Sequence, residues 1–233
     1  MNEKNSIAEI QAQLFKMQDI KYKQFQGKLL PTLSVESIIG VRAPALKKYA
    51  LELAKKGLDN VFLSSLPHRY YEENMLHSFI ICNTSDFDEC ISKTEQFLPF
   101  VDNWAVCDSL RPRCFKSNKE RLLPFAEKYL SSHHSYTVRF GIEILTVHFL
   151  DESFDPVFLE KVSKIQNEDY YVQMMISWFF ATALTKQYDS AVVYIEERKL
   201  PSFIHRKSIQ KACESLCIPE EKKQYLKIFR TNK

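Results

Sequence analysis

Apolar residues recur along most of the chain with the 3.6-residue period of an amphipathic helix. The first clear stripe is formed by Leu46, Tyr49, Ala50 and Leu53. Its flanking polar positions are lysines, Lys47, Lys48 and Lys55. A second stripe is formed by Val138, Ile142, Leu145 and Phe149. Runs that alternate between apolar and polar residues, as strands do, are scarce, so the pattern predicts an all-α protein.

Prolines at the edges of the periodic segments mark where helices begin and end. The predicted helices cover residues 5–26, 43–56, 69–83, 86–98, 102–114, 118–131, 135–150, 155–166, 169–185, 187–198, 202–215 and 219–229. The segment 170–184 is apolar almost all round, which predicts a buried helix with neighbours on both sides. Short helices joined by brief turns, with no linker between them, are typical of paired-helix repeats. We therefore predict one domain over residues 1–233, a right-handed α-solenoid of HEAT-like repeats, with a non-repeating helical domain as the alternative.

Glycine content excludes several enzyme classes. The chain has 4 glycines, at positions 27, 40, 57 and 141. They are too widely spaced to form a GxGxxG dinucleotide loop or a GxxxxGK[ST] phosphate loop. Rossmann dehydrogenases, kinases and P-loop ATPases are thereby excluded, and we expect no nucleotide cofactor.

The cysteines and the chain's termini suggest neither a metal site nor a membrane protein. None of the 6 cysteines forms a CxxC pair, and no HExxH motif is present, so we expect no metal. The N-terminal residues lack the apolar core of a signal peptide, and the apolar run at 170–184 is too short to span a bilayer. These features predict a cytoplasmic protein without membrane contact, and we expect a monomer.

The strongest candidate for chemistry is the pair Trp104 and Asp108. Residues four positions apart lie on one face of a helix, one turn from each other. One interpretation is a core tryptophan beside a surface carboxylate. The other is a cation site, because an indole face attracts positive charge and a carboxylate adds a full negative charge. Arg139 and Trp178 follow Trp104 at intervals close to the period of about 40 residues of HEAT-type units, although chance spacing is an alternative explanation.

Four segments of the sequence resemble the AlkD family of HEAT-like-repeat DNA glycosylases. They are 39–47 (IGVRAPALK), 103–109 (NWAVCDS), 136–141 (YTVRFG) and 170–178 (YYVQMMISW). The resemblance extends over roughly 36–215. It implies excision of cationic N3- or N7-alkylated purines from double-stranded DNA. By the same resemblance, Trp104 and Trp178 would lie near the deoxyribose of the lesion, Asp108 would be the catalytic carboxylate, and Arg139 would hold a backbone phosphate.

Basic residues follow the predicted carboxylate directly. The first group consists of Arg111, Arg113, Lys116, Lys119 and Arg121. We predict DNA contacts at Arg111, Arg113 and Lys116, against the alternative of a solvated helix face. A second basic group consists of Arg198, Lys199, Arg206, Lys207 and Lys211. The acidic stretches 72–73 and 86–89 are expected on the outer face.

One segment departs from the family pattern. Catalytic members of the family carry a DNA-contacting helix near residues 26–37, whereas Gly27 and Pro31 predict a loop here. The net charge of +3 is also small for a DNA-binding protein. Two hypotheses therefore stay open. The protein is an alkylpurine DNA glycosylase, or it is a weak or inactive paralogue that acts as a helical-repeat module binding DNA or protein.

Overall fold

Helices make up the regular secondary structure of the protein. The computed structural model describes residues 3–230, with side chains from residue 5 onward, and contains no strand among them, which confirms the all-α prediction. The chain divides between Asn118 and Lys119 into two units. The first unit contains α1 (Glu3–Lys16), α2 (Ile20–Leu29), α3 (Ala43–Lys55), α4 (Asp59–Leu63), α5 (Tyr71–Cys82), α6 (Phe87–Phe97) and α7 (Trp104–Ser109).

The second unit begins with α8 and carries the remaining helices. They are α8 (Lys119–Leu130), α9 (Ser135–His148), α10 (Val157–Ser163), α11 (Tyr170–Lys186), α12 (Tyr188–Glu196), α13 (Ser202–Glu214) and α14 (Glu220–Ile228). Short 3-10 segments occur at Val35–Ser37, Leu98–Phe100 and Arg113–Ser117. Within the described residues, no helix is both long and apolar enough to cross a membrane.

The predicted apolar stripes form the cores of the two units. All four stripe residues of α3 are buried, and α3 packs against α5. In the second unit the stripe of α9 is buried as well. Helix α11 packs against α9 and against α13, as its apolar sequence predicted. Burial of each large apolar side chain contributes roughly 1.5–3 kcal/mol, so these stripes are the main reason that the helices pair.

The prediction of one helix over 5–26 is wrong, whereas the loop predicted over 26–37 is present from residue 30 onward, with a short 3-10 segment at Val35–Ser37. The break lies earlier, at Asp19, whose carboxylate accepts a hydrogen bond from the backbone N–H of Tyr22 at 3.0 Å and so caps the start of α2. Helix α2 then continues through Gly27 and ends at Leu29. Gly27 does not need a left-handed conformation there, so a single glycine weakens the helix without ending it.

The helix predicted over 102–114 is also too long. Helix α7 ends at Ser109, and the chain turns before the 3-10 segment Arg113–Ser117. Pro112 explains the difference, because proline disfavours helical conformation in the residue before it and has no N–H to donate. Arg111 and Arg113 therefore lie on a turn beyond the helix that carries Asp108.

The acidic pair at 72–73 is buried, which contradicts its prediction as an outer-face stretch. Glu72 is 0% exposed and accepts hydrogen bonds from three consecutive backbone N–H groups, those of Ile39, Gly40 and Val41. Burial raises the pKa of Glu72, and the three N–H donors oppose that rise. The carboxylate therefore holds the segment before α3 against α5.

Glu73 caps the helix to which it belongs. Its side chain accepts hydrogen bonds from the backbone N–H groups of Arg69 and Tyr70, and a third from the Gln11 side chain at 3.0 Å. Carboxylates in the first turn of a helix satisfy N–H groups that lack an intrahelical partner. This local role explains why Glu73 is buried, whereas Asp86 and Glu89 are exposed.

Two histidines lie between phenylalanine rings in the first unit. His68 stacks on Phe62 at 4.5 Å and His77 on Phe97 at 4.0 Å, and the His68 Nε2 and His77 Nδ1 atoms are 2.8 Å apart. One ring nitrogen donates and the other accepts, so the pair is satisfied when both rings are neutral. Burial lowers the pKa of His68 to about 4 and that of His77 to about 2.

We expect acid to destabilise the protein through this pair. Because both pKa values are lowered by folding, the unfolded chain binds protons below about pH 6.5 while the folded chain leaves both rings neutral. The free energy of unfolding should fall by about 1.4 kcal/mol per pH unit for each histidine between pH 6.5 and pH 4. Urea unfolding at a series of pH values measures this slope.

In His68→Gln the free energy of unfolding should depend less steeply on pH, because the contribution of one histidine is removed. His133→Gln, at an exposed position in the second unit, is the control and should leave the slope unchanged. If wild type and His68→Gln lost stability in parallel with falling pH, the buried pair would not be the cause.

Candidate active site

Helix α7 presents Trp104 and Asp108 on its accessible side. The three residues between them, Ala105, Val106 and Cys107, are buried, whereas Trp104 and Asp108 are both half-buried. The short helix is started by Asn103, whose side chain accepts a hydrogen bond from the backbone N–H of Val106 at 3.0 Å. The indole and the carboxylate therefore lie on one face, as the four-residue spacing predicted.

The indole of Trp104 is fixed by the end of α2. Its Nε1–H donates to the main-chain carbonyl of Leu29, with 3.1 Å between the nitrogen and the oxygen. Carbonyl groups in the last turn of a helix lack an intrahelical partner, which makes them available to such donors. The end of α2, three residues beyond the predicted helix end at Gln26, thus positions a predicted catalytic side chain.

Asp108 lines an open cavity with several basic residues. The cavity has a volume of about 370 Å³ and is also lined by Lys47, Arg111 and Arg113. Two of the three predicted DNA contacts, Arg111 and Arg113, are therefore close to the predicted catalytic carboxylate. The third, Lys116, is exposed in the 3-10 segment and is not among the lining residues.

Arg139 lies in the second unit, on α9, and is only 5% exposed. Its Nη1 group donates to the carbonyl oxygen of Tyr171 in the first turn of α11, at 2.7 Å. A guanidinium carries five N–H donors, so the bond to Tyr171 is one of several contacts that the group can make.

Trp178 is on α11 in the same unit and is 47% exposed, although its neighbours along the helix are buried. The Nζ atom of Lys211 on α13 lies over its ring, 5.0 Å from the centroid. Lys211 also pairs with Glu214 at 2.7 Å. An ammonium at this distance is attracted by the negative face of the indole. The exposed ring of Trp178 can therefore receive a positive charge.

Three features around the predicted site residues were not found by sequence reasoning. Lys47 was assigned to a polar flank of α3, yet it reaches the cavity of Asp108. Lys211 was grouped with other basic residues and not with Trp178. The carbonyl of Leu29 has no signal in the sequence at all, because any residue at the end of a helix offers the same group.

Comparison with known proteins identifies the family. No curated protein matches the chain. A family model described as DNA alkylation repair enzyme matches residues 4–215. Since this match spans most of the chain and agrees with the resemblance of the motifs, the protein belongs to the DNA alkylation repair enzyme family.

Proposed function

We propose that the protein is a monofunctional DNA glycosylase that hydrolyses the N-glycosidic bond of cationic N3- or N7-alkylated purines in duplex DNA. The observation that carries the proposal is the accessible face of α7, where the indole of Trp104 and the carboxylate of Asp108 lie one turn apart over a buried helix side. The match to the DNA alkylation repair family supports the class of substrate.

The chemistry of the lesion fits an acidic and aromatic site. A purine alkylated on a ring nitrogen is already cationic and leaves without a strong general acid. As the bond breaks, positive charge develops on the sugar, as it does in glycoside hydrolysis. A carboxylate at the position of Asp108 stabilises that charge and orients the attacking water.

The two tryptophans add attraction for positive charge. A cation over an indole face gains about 0.5–2 kcal/mol. The ammonium of Lys211 over Trp178 supports this role, because it occupies the kind of position that a cationic sugar would take. For Trp104, the hydrogen bond to Leu29 fixes the ring before substrate binds. Binding therefore does not incur the entropy cost of ordering this side chain.

Basic residues would bind the DNA backbone. Arg139 is proposed to hold one phosphate beside the lesion, and Arg111, Arg113 and Lys116 to contact the phosphate backbone as well. Arg111, Arg113 and Lys116 are exposed, which supports contacts to a large ligand. Arg139 is buried, so its contact to a phosphate would use the small part of the side chain that remains accessible.

The helix pairs support a repeat architecture in one domain. In the second unit, α9, α11 and α13 pack in succession, and α8 packs against α9. Such successive packing is what HEAT-like units produce. We propose that the whole chain forms one right-handed solenoid of these repeats.

A binding module without catalysis is the second candidate. The small net charge of +3 favours it, because affinity for DNA depends on the number of phosphates that the protein neutralises. The other argument for it is the loop predicted over 26–37. Helix α2 continues to Leu29, but residues 30–37 then form a turn and a 3-10 segment and no α-helix, which also favours the module.

Release of base from methylated DNA tests the proposal. We expect the protein to release N7-methylguanine from a methylated duplex, leaving abasic sites, well above the spontaneous rate measured without protein. Chromatography of the released base measures it. Release at the spontaneous rate, together with salt-dependent binding of the duplex, would instead favour the module.

A further inference from the structure

The cavity beside Asp108 is built by three segments of the first unit. Lys47 comes from α3, Phe79 and Cys82 from α5, and the arginines from the turn after α7. The Lys47 Nζ atom lies 5.2 Å from the centroid of the Phe79 ring. The walls therefore combine an aromatic side chain with cations, and the carboxylate of Asp108 lies among them.

A partly buried thiol holds the turn after α7. Cys82 Sγ donates to the carbonyl of Ser109 and accepts a hydrogen bond from the backbone N–H of Arg111, at 3.4 and 3.0 Å. Burial raises the pKa of Cys82 to about 12, so the thiol keeps the proton that it donates. The backbone that carries Arg111 is thereby tied to α5.

The charge of the lining side chains decides which ligand fits. Three cationic side chains, those of Lys47, Arg111 and Arg113, face one carboxylate, that of Asp108. This excess of positive charge disfavours the cationic base itself in the cavity, and the proposed mechanism requires only the sugar to reach Asp108. A phosphate group would be attracted, and guanidinium groups bind phosphate oxygens in pairs. The observations therefore favour an anion in the cavity.

The carboxylate of Asp108 in the same cavity indicates that the anion is a phosphate of the nucleic-acid backbone. In a nucleic acid every sugar is flanked by phosphates, so a phosphate held by the cations brings a sugar next to Asp108. We propose that Lys47, Arg111 and Arg113 form a subsite for the backbone phosphate that adjoins the sugar attacked at Asp108. This inference rests on the proposed glycosylase function and adds Lys47, a residue of α3, to the DNA-binding surface.

Two neighbouring lysines of α3 provide a matched test. Lys47 and Lys48 are both exposed, but only Lys47 lines the cavity. Binding of an unmodified duplex is measured over a salt series for wild type, Lys47→Gln and Lys48→Gln, with far-UV circular dichroism and thermal midpoints to verify folding. A lost phosphate contact lowers the slope of log K against log salt by about 0.9. We expect that loss, with weaker binding, in Lys47→Gln and a wild-type slope in Lys48→Gln.

A second variant and a second ligand complete the test. Arg113→Gln should lower the slope as Lys47→Gln does. In a parallel series, inorganic phosphate replaces part of the chloride at equal ionic strength. Equal slopes in Lys47→Gln and Lys48→Gln would overturn the proposal. The proposal would also be overturned if the two variants had equal slopes while inorganic phosphate weakened DNA binding by wild type and not by Lys47→Gln. That result would assign the cavity to free phosphate.

Base release separates this inference from the proposed function. If wild type released no base but the lysine variants still differed in slope, the glycosylase proposal would fail, and the cavity would remain a phosphate site without the assigned sugar. If wild type released base and the two lysine variants had equal slopes, the glycosylase would stand and the phosphate subsite would be rejected.

Discussion

The substitution Asp108→Asn should lower the rate of base release by about 10²–10³-fold while leaving the affinity for duplex DNA close to that of wild type. An amide has nearly the shape of the carboxylate, so the accessible face of α7 keeps its form. It has no full charge, however, and cannot stabilise the positive sugar that develops as the bond breaks. Single-turnover release of N7-methylguanine measures the effect, because product release does not limit such an experiment.

The matched control is Asp102→Asn. Asp102 is exposed, lies just before α7 and is not among the residues that line the cavity. Its substitution changes the net charge of the protein by the same amount, and the asparagine keeps an oxygen that can accept the hydrogen bond from the Asn103 side chain, so it reports the effect of charge on DNA binding. Equal rates for Asp108→Asn and wild type would remove the carboxylate from the mechanism.

The sequence predicted the elements that depend on periodic burial. The stripe of α3 and the nearly uniform apolar run of α11 are long enough for packing to dominate, and both helices formed where expected. The face shared by Trp104 and Asp108 was predictable for the same reason, since four-residue spacing fixes it in any helix.

Elements that depend on one polar contact were not predictable in the same way. Asp19 ended a predicted helix by capping the next one, and Glu72 was buried because it binds a loop distant in sequence. Pro112 should have shortened the helix predicted over 102–114, since its effect on the preceding residue is local. The position of Lys47 in the cavity depends on how α3 packs on α5, which no pattern within α3 reveals.

Substitution of Gly40 by alanine should destabilise the protein by on the order of 4 kcal/mol, a large share of the stability of an ordinary domain. Gly40 has a φ of +97° in a buried loop, and a Cβ atom there would lie 2.6 Å from the carbonyl oxygen of Asp19 and 2.9 Å from the backbone nitrogen of Lys23. Both are backbone atoms at the start of α2 and cannot move separately from it.

Gly57→Ala is the control that separates the cost of a positive φ in alanine from the cost of a steric clash at the new Cβ atom. Gly57 also has a positive φ, +64°, but a Cβ atom at that position meets nothing within 4 Å. Its cost should be only about 1–2 kcal/mol, the price of left-handed backbone in alanine. Urea unfolding of both variants measures the difference, and equal costs would mean that the close approach at Gly40 does not matter.

The same substitution connects stability with the proposed active site. The N–H of Gly40 donates to Glu72, and its carbonyl accepts from the N–H of Asp19 at 2.9 Å. Displacement of Gly40 therefore moves the start of α2, whose last turn holds the indole of Trp104 through Leu29. We expect base release by folded Gly40→Ala protein to fall, whereas folded Gly57→Ala protein should retain the wild-type rate. Wild-type release by folded Gly40→Ala would indicate that α2 does not need to hold the indole for catalysis.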